Sequence, residues 1–171
     1  MGEARAAPVI RAVKDTEVAA LPDTVFIDAP PGVACPTVEA LRAVDFAVLV
    51  TEPTPFGLHD LKLAVETARE LNLPFGVVVN RVGIGDSRVQ SFCASEDIDI
   101  LMEIPDNRRI AEACSRGEVF AATDETFASE LRGLAQDLSS RVENLRPREL
   151  TTVAEGISSH APTDGEGVMR A

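Results

Sequence analysis

Two unbroken apolar runs, Phe46-Ala47-Val48-Leu49-Val50-Thr51 and Phe75-Gly76-Val77-Val78-Val79-Asn80, do most to limit what this chain can become. Short runs rich in β-branched residues and lacking polar alternation mark strands covered on both faces. Between them Leu58, Leu61, Val65, Ala68 and Leu71 recur at helical spacing over residues 58–72, behind a loop stiffened by Pro53, Pro55 and Gly57. Strand, helix and strand within about 35 residues is the length of a βαβ crossover, which makes the two strands parallel.

The same alternation extends in both directions. Upstream, Pro8 opens a predicted helix over 8–20 with Val9, Ile10, Val13 and Val18 on one side. Val25, Phe26 and Ile27 then predict a buried strand over 24–29, and a further helix is expected over 36–44. Downstream, Gly83 and Gly85 lead to a helix over 86–95 and a strand over 99–104. Asp106 is the expected N-cap of a helix over 107–116, with Gly117 as its C′ residue. A long helix over 124–145 carries Phe127, Leu131, Leu134, Leu138, Val142 and Leu145 as one stripe, which in a globular chain packs on a sheet. Beyond Arg146, the Ser, Thr, Gly, Pro and Glu content predicts a disordered tail over 147–171. The expected architecture is a three-layer α/β domain over 1–146, with about four parallel strands and helices on both faces. Neither Tyr nor Trp occurs, so Val, Ile, Leu and Ala must build its core.

Chemistry gathers at the strand tips: Asp28, Thr51-Glu52, Asn80-Arg81 and Pro105-Asp106. In a parallel sheet these tips share one edge, where open α/β sheets bind ligands. Asp28 precedes Pro30, Pro31 and Gly32, a stiff turn in which Gly32 allows backbone angles closed to other residues. An acid fixed there can hold a hydrated Mg²⁺ beside phosphates. It can equally cap the helix that follows.

Composition excludes other classes. A formal charge of −12 argues against a nucleic-acid surface. No apolar run approaches the roughly 18 residues needed to span a bilayer, and with no secretory signal the expected location is cytoplasmic. Cys35, Cys93 and Cys114 are too scattered for a zinc or iron–sulfur signature and are expected as small buried hydrophobes. His59 is expected to be exposed, and Arg108 and Arg109 to lie on a solvated face that would also suit an anionic partner.

Taken together, Asp28-Ala-Pro-Pro-Gly32, Cys35-Pro36, the stretch Thr51 to Lys62, Asn80-Arg81, Ile104-Pro105 and Arg108 to Glu112 resemble the MinD/ParA/Mrp class of P-loop ATPases. The likeness is greatest to the branch associated with iron–sulfur or ferredoxin-like segments, and it covers residues 8–120. The resemblance implies a P-loop NTPase-like fold with ATP or ADP and Mg²⁺ as ligands. It implies that Asp28 is the Walker B acid acting on Mg²⁺ through water, and that Gly32 is the switch II glycine. Asn80 would read the adenine edge, and Pro105 and Asp106 would close over the base. Glu52 and Thr54 would face the phosphates or a partner.

The sequence also departs from that pattern. Neither Gly-Lys-Thr nor Gly-Lys-Ser occurs, and the two lysines, Lys14 and Lys62, adjoin no glycine-rich turn. Val33 and Ala34 stand where the class usually has Thr-Ser. Because phosphoryl transfer rests on positioning and charge stabilisation, no catalytic residues and no ATP hydrolysis are expected of the isolated chain. The expected function is the C-terminal half of a MinD-like, iron–sulfur-associated ATP-binding protein, its phosphate loop carried either by a complementary chain or by the rest of a longer, truncated one. The alternative is a degenerate interaction module of the same fold. The resemblance leaves a homodimer open, and it implies neither a nucleic-acid nor a membrane partner.

Overall fold

The computed structural model describes residue 8 and residues 24–145 other than Ala43. The helix predicted over 8–20 and the tail predicted over 147–171 therefore lie outside the described residues, apart from Pro8. Helix α1 spans Cys35–Leu41, strand β1 Ala47–Thr51 and helix α2 Pro55–Glu70. Strand β2 covers Phe75–Val82, helix α3 Arg88–Ser95 and strand β3 Ile100–Pro105. Helix α4 runs over Arg108–Ser115, a 3-10 turn over Phe120–Ala122 and helix α5 over Glu125–Leu145.

Among the described residues the sheet has three strands in the order β1-β2-β3, and both pairings are parallel. The expected α/β architecture with a parallel sheet flanked by helices is what forms, and the two apolar runs pair directly, Leu49 opposite Val77 and Thr51 opposite Val79.

The strand expected over 24–29 is not formed. Residues 24–30 take no strand conformation, and Val25, Phe26 and Ile27 are all exposed. Strand propensity is a statement about fitting a pleated, half-buried surface, and it is realised only beside a partner strand. Residues 24–30 pair with neither open edge of the sheet: among the described residues β1 and β3 each pair only with β2.

One face of the sheet holds the core. Leu61 and Val65 of α2, Val89 and Cys93 of α3, and Val77 and Val79 of β2 are buried together, with Leu49, Phe75, Val82 and Ile100 packed around them. Full burial of one such aliphatic side chain is worth about 1.5–3 kcal/mol. By strand alternation Val48, Val50, Gly76 and Val78 share the other face. There Gly76 is filled by Leu101, whose Cγ would lie 2.7 Å from an added Cβ, while Val50 is 66% exposed.

Local chemistry explains the helix ends. Pro55 begins α2, and the Thr54 hydroxyl accepts from the Gly57 N–H at 3.0 Å. The N-cap of α4 is Asn107, whose side chain accepts from the Arg109 N–H at 2.8 Å, rather than Asp106 as the sequence suggested. The displaced Asp106 is an ion-pair partner instead. Gly117 does terminate α4 in the left-handed region (φ +71°), with the Glu118 N–H reaching back to the Ala113 carbonyl. The stripe on α5 is half-buried from Phe127 to Val142 and exposed at Leu145. Arg141 ties this helix to Asp99 just before β3, at 2.6 Å. Arg109 of α4 pairs with Asp124 and lies over the Phe120 ring, so α4, the 3-10 turn and the start of α5 form one joined corner.

Candidate strand-tip nucleotide site

Three of the four chemical tips meet. Arg81, at the end of β2, donates from Nε to Asp106 at 3.1 Å, and its Nη1 lies 3.5 Å from Glu52 just beyond β1. Asp106 follows β3, so this one guanidinium links all three described strand ends along the C-terminal edge. Asp106 foremost, and Glu52 next, raise the Arg81 pKa, and the side chain keeps its charge throughout the range in which proteins fold.

Thr51 and the start of α2 hold Glu52 in place. The Thr51 hydroxyl donates to the Gly57 carbonyl at 2.9 Å, and a side chain at Gly57 would overlap the Glu52 carbonyl oxygen. A side chain at Gly85 would likewise overlap the Pro53 carbonyl, so the loop after β2 lies directly on the loop after β1. Glycine at both positions is what lets these loops approach.

Asn80 adjoins this cluster. It is half-buried, and its carboxamide oxygen accepts from the Arg81 N–H at 3.0 Å. That leaves a second lone pair and two amide N–H donors for a ligand. Pro105 ends β3, and Asp106 is committed to Arg81. Asp28 is exposed in the non-strand segment, and Gly32 sits in the left-handed region at φ +86°, as the turn required. An added Cβ at Gly32 would meet no atom within 4 Å, so dihedral freedom rather than close packing is what glycine supplies there.

The donor set fits a magnesium–nucleotide more readily than a metal held by protein alone. Among the described residues no group of three His, Cys, Asp or Glu side chains could hold a metal ion. Mg²⁺ commonly uses one or two carboxylates together with water and substrate phosphates. Asp28 could supply such a carboxylate, whereas Glu52 and Asp106 are drawn to Arg81. Among the described residues no helix is long and apolar enough to cross a membrane.

Sequence reasoning assigned no role to Arg81. Its signal was nonetheless present, as a cation on the central tip with an acid on each neighbouring tip. The expectation for cysteine holds only at Cys93, which is buried, its thiol pKa raised by loss of solvent. Cys35 and Cys114 are exposed, because one opens α1 at the surface and the other lies on the open side of α4.

No protein-family model matches the sequence. An iron-sulfur cluster carrier protein of Aquifex aeolicus is 30% identical over 139 residues, covering 71% of this chain and 38% of the relative. Among solved structures, the MinD cell division protein of Aquifex aeolicus superposes with a TM-score of 0.62 at 19% identity, covering 79% of this chain and 59% of that one. The chain belongs to the MinD-like P-loop family. An uncharacterized protein of Methanocaldococcus jannaschii is 32% identical over 120 residues, 70% of this chain and 41% of that protein. This MinD-like chain thus spans about two fifths of the length of these curated relatives.

Proposed function

We propose that this MinD-like chain supplies the magnesium side and the adenine side of an ATP site whose phosphate loop comes from outside these 171 residues. In this reading Asp28 holds Mg²⁺ through water, Gly32 lets the following turn respond to the terminal phosphate, and Asn80 meets the adenine edge. Pro105 and Asp106 frame the base from β3. The bound metal would neutralise charge on the phosphates, and Asp28 would orient its water shell.

The observation that carries the reading is the joining of Glu52, Arg81 and Asp106 across three parallel strand ends, with the Asn80 carboxamide beside them. Parallel α/β sheets bind ligands at this edge. By itself the chain should bind Mg-ATP weakly and turn none over, because the donors that grip phosphate are lacking from its sequence. Calorimetry with Mg-ATP tests this, with and without a polypeptide bearing the phosphate loop. The expected result is tight binding and turnover only with both pieces, abolished by Asp28→Ala. Turnover by the chain alone that survives Asp28→Ala would overturn it.

Exposure of Phe26 (76%) and Val50 (66%) favours a second reading, an interaction module that no longer uses nucleotide. It predicts that a partner protects these side chains equally well in the presence and absence of Mg-ATP. On either reading the surroundings are the cytoplasm, with a complementary chain or a second copy as the partner. The iron–sulfur link of the named relative would then belong to the completed assembly.

A further inference from the structure

The pairing of β2 with β3 slips twice. Val77 lies opposite Ile100 and Val78 opposite Met102, so β3 carries one extra residue, Leu101. Val79 then lies opposite Glu103 and Val82 opposite Pro105, three steps on β2 against two on β3. The second slip is therefore a bulge in β2 formed by Asn80 and Arg81. Its effect shows in the core: Val77, Val79 and Val82 all pack on the same face, which strict alternation would forbid for Val79 and Val82. Arg81 occupies the left-handed region at φ +56°, which few residues other than glycine adopt.

We propose that Arg81 is a positioning residue, whose grip on Glu52 and Asp106 holds the β2 bulge that aims the Asn80 carboxamide and thereby sets a preference for adenine over guanine. The inference rests on the reading that Asn80 meets a base. Three contacts fix the geometry. Nε of Arg81 donates to Asp106 at 3.1 Å, Nη1 faces Glu52 at 3.5 Å, and the Asp106 N–H donates to the Val82 carbonyl at 2.9 Å. The side chain thus spans the bulge and anchors it to the strand ends on either side.

The bulge also fixes which way round the Asn80 amide sits. The Arg81 N–H points at Oδ1, and a flipped carboxamide would set its own N–H donors against that N–H. With the oxygen held, Asn80 offers an acceptor and a donor side by side. Adenine presents a complementary amino donor and ring-nitrogen acceptor on one edge, whereas guanine presents two acceptors there. Loss of the bulge would free the carboxamide to turn, and the distinction between the bases would go with it.

The test uses the full chain and three variants, Asn80→Ala, Arg81→Ala and Arg81→Gly. Glycine adopts the left-handed angle readily, so Arg81→Gly keeps the bulge accessible if the side-chain anchor is lost. Two readouts are taken: the ¹H–¹⁵N resonances of the Asn80 side-chain amide, and the ratio of Mg-ATP to Mg-GTP affinities from NMR titration. In the parent chain the Asn80 amide protons should be shifted well away from those of a free carboxamide, with ATP preferred about tenfold or more. Arg81→Ala should collapse those shifts and bring the ratio close to that of Asn80→Ala, with the rest of the spectrum retained. Arg81→Gly should recover a substantial part of both.

An Arg81→Ala protein with unchanged Asn80 amide resonances overturns the proposal. So does an unchanged ATP-to-GTP ratio in a chain that binds both. If the parent chain binds neither nucleotide even with the phosphate-loop polypeptide present, the proposed function fails, while the amide resonances still decide whether Arg81 positions Asn80.

Discussion

Val77 and Val79 are 0% exposed, whereas Phe26 is 76% exposed and Val25 is 55% exposed, although the triplets Val77-Val78-Val79 and Val25-Phe26-Ile27 have nearly the same strand-forming character. The difference lies in their neighbours. Val77 has β1 on one side, β3 on the other, and α2 and α3 packed on its face. Val25 has no strand beside it among the described residues. Apolar sequence creates a demand for burial, and only a partner can meet it.

The largest expected effect comes from the buried member of the comparison. Leu61→Ala, in the cluster that covers Val77 and Val79, should destabilise the chain by about 2–4 kcal/mol, read as a lower urea midpoint. Next is Gly76→Ala, which places a methyl against Leu101 and should cost about 1–3 kcal/mol. Loss of the Asn107 cap in Asn107→Ala should cost about 1 kcal/mol, whereas Asp106→Ala should leave α4 intact. At the other extreme, Phe26→Ser should change stability by less than about 0.5 kcal/mol. A Phe26→Ser cost rivaling that of Leu61→Ala would erase the contrast, showing that residues 24–29 are packed in solution.

Cysteine sharpens the same contrast through pH. Burial raises the Cys93 thiol, so its stabilising contribution is fully present below the unfolded thiol pKa of about 8.5. As pH rises past that value the unfolded chain releases a proton that the folded chain retains, and stability falls until the folded thiol also ionises. Urea titrations between pH 7 and 10 should show this decline and lose its Cys93 component in Cys93→Ala. Thiol reagents should label Cys35 and Cys114 in the native protein and reach Cys93 only on unfolding.

The long apolar runs were legible as strands because short β-branched runs fit little else, but coverage of both faces holds for β2 and not for the edge strand β1, where Val50 is exposed. The α2 stripe and the Gly117 stop were legible for similarly local reasons, one a matter of period and the other of backbone angle. Asp106 was misassigned because an acid before a helix satisfies the capping rule equally well whether or not a cation waits across the sheet. In the structure Asn107, one residue on, caps the helix, and Asp106 pairs with Arg81.

By itself, then, the sequence determined a parallel α/β chain with its polar chemistry at the strand ends, since residue period and chain direction are local properties. Tertiary structure decided the rest. It left residues 24–29 outside the sheet, placed an extra residue in β2, and made Arg81 the link between Glu52 and Asp106. Those outcomes depend on which strands lie side by side and in what register, and contacts between residues some 25 or more positions apart settle such questions only when the chain has closed on itself.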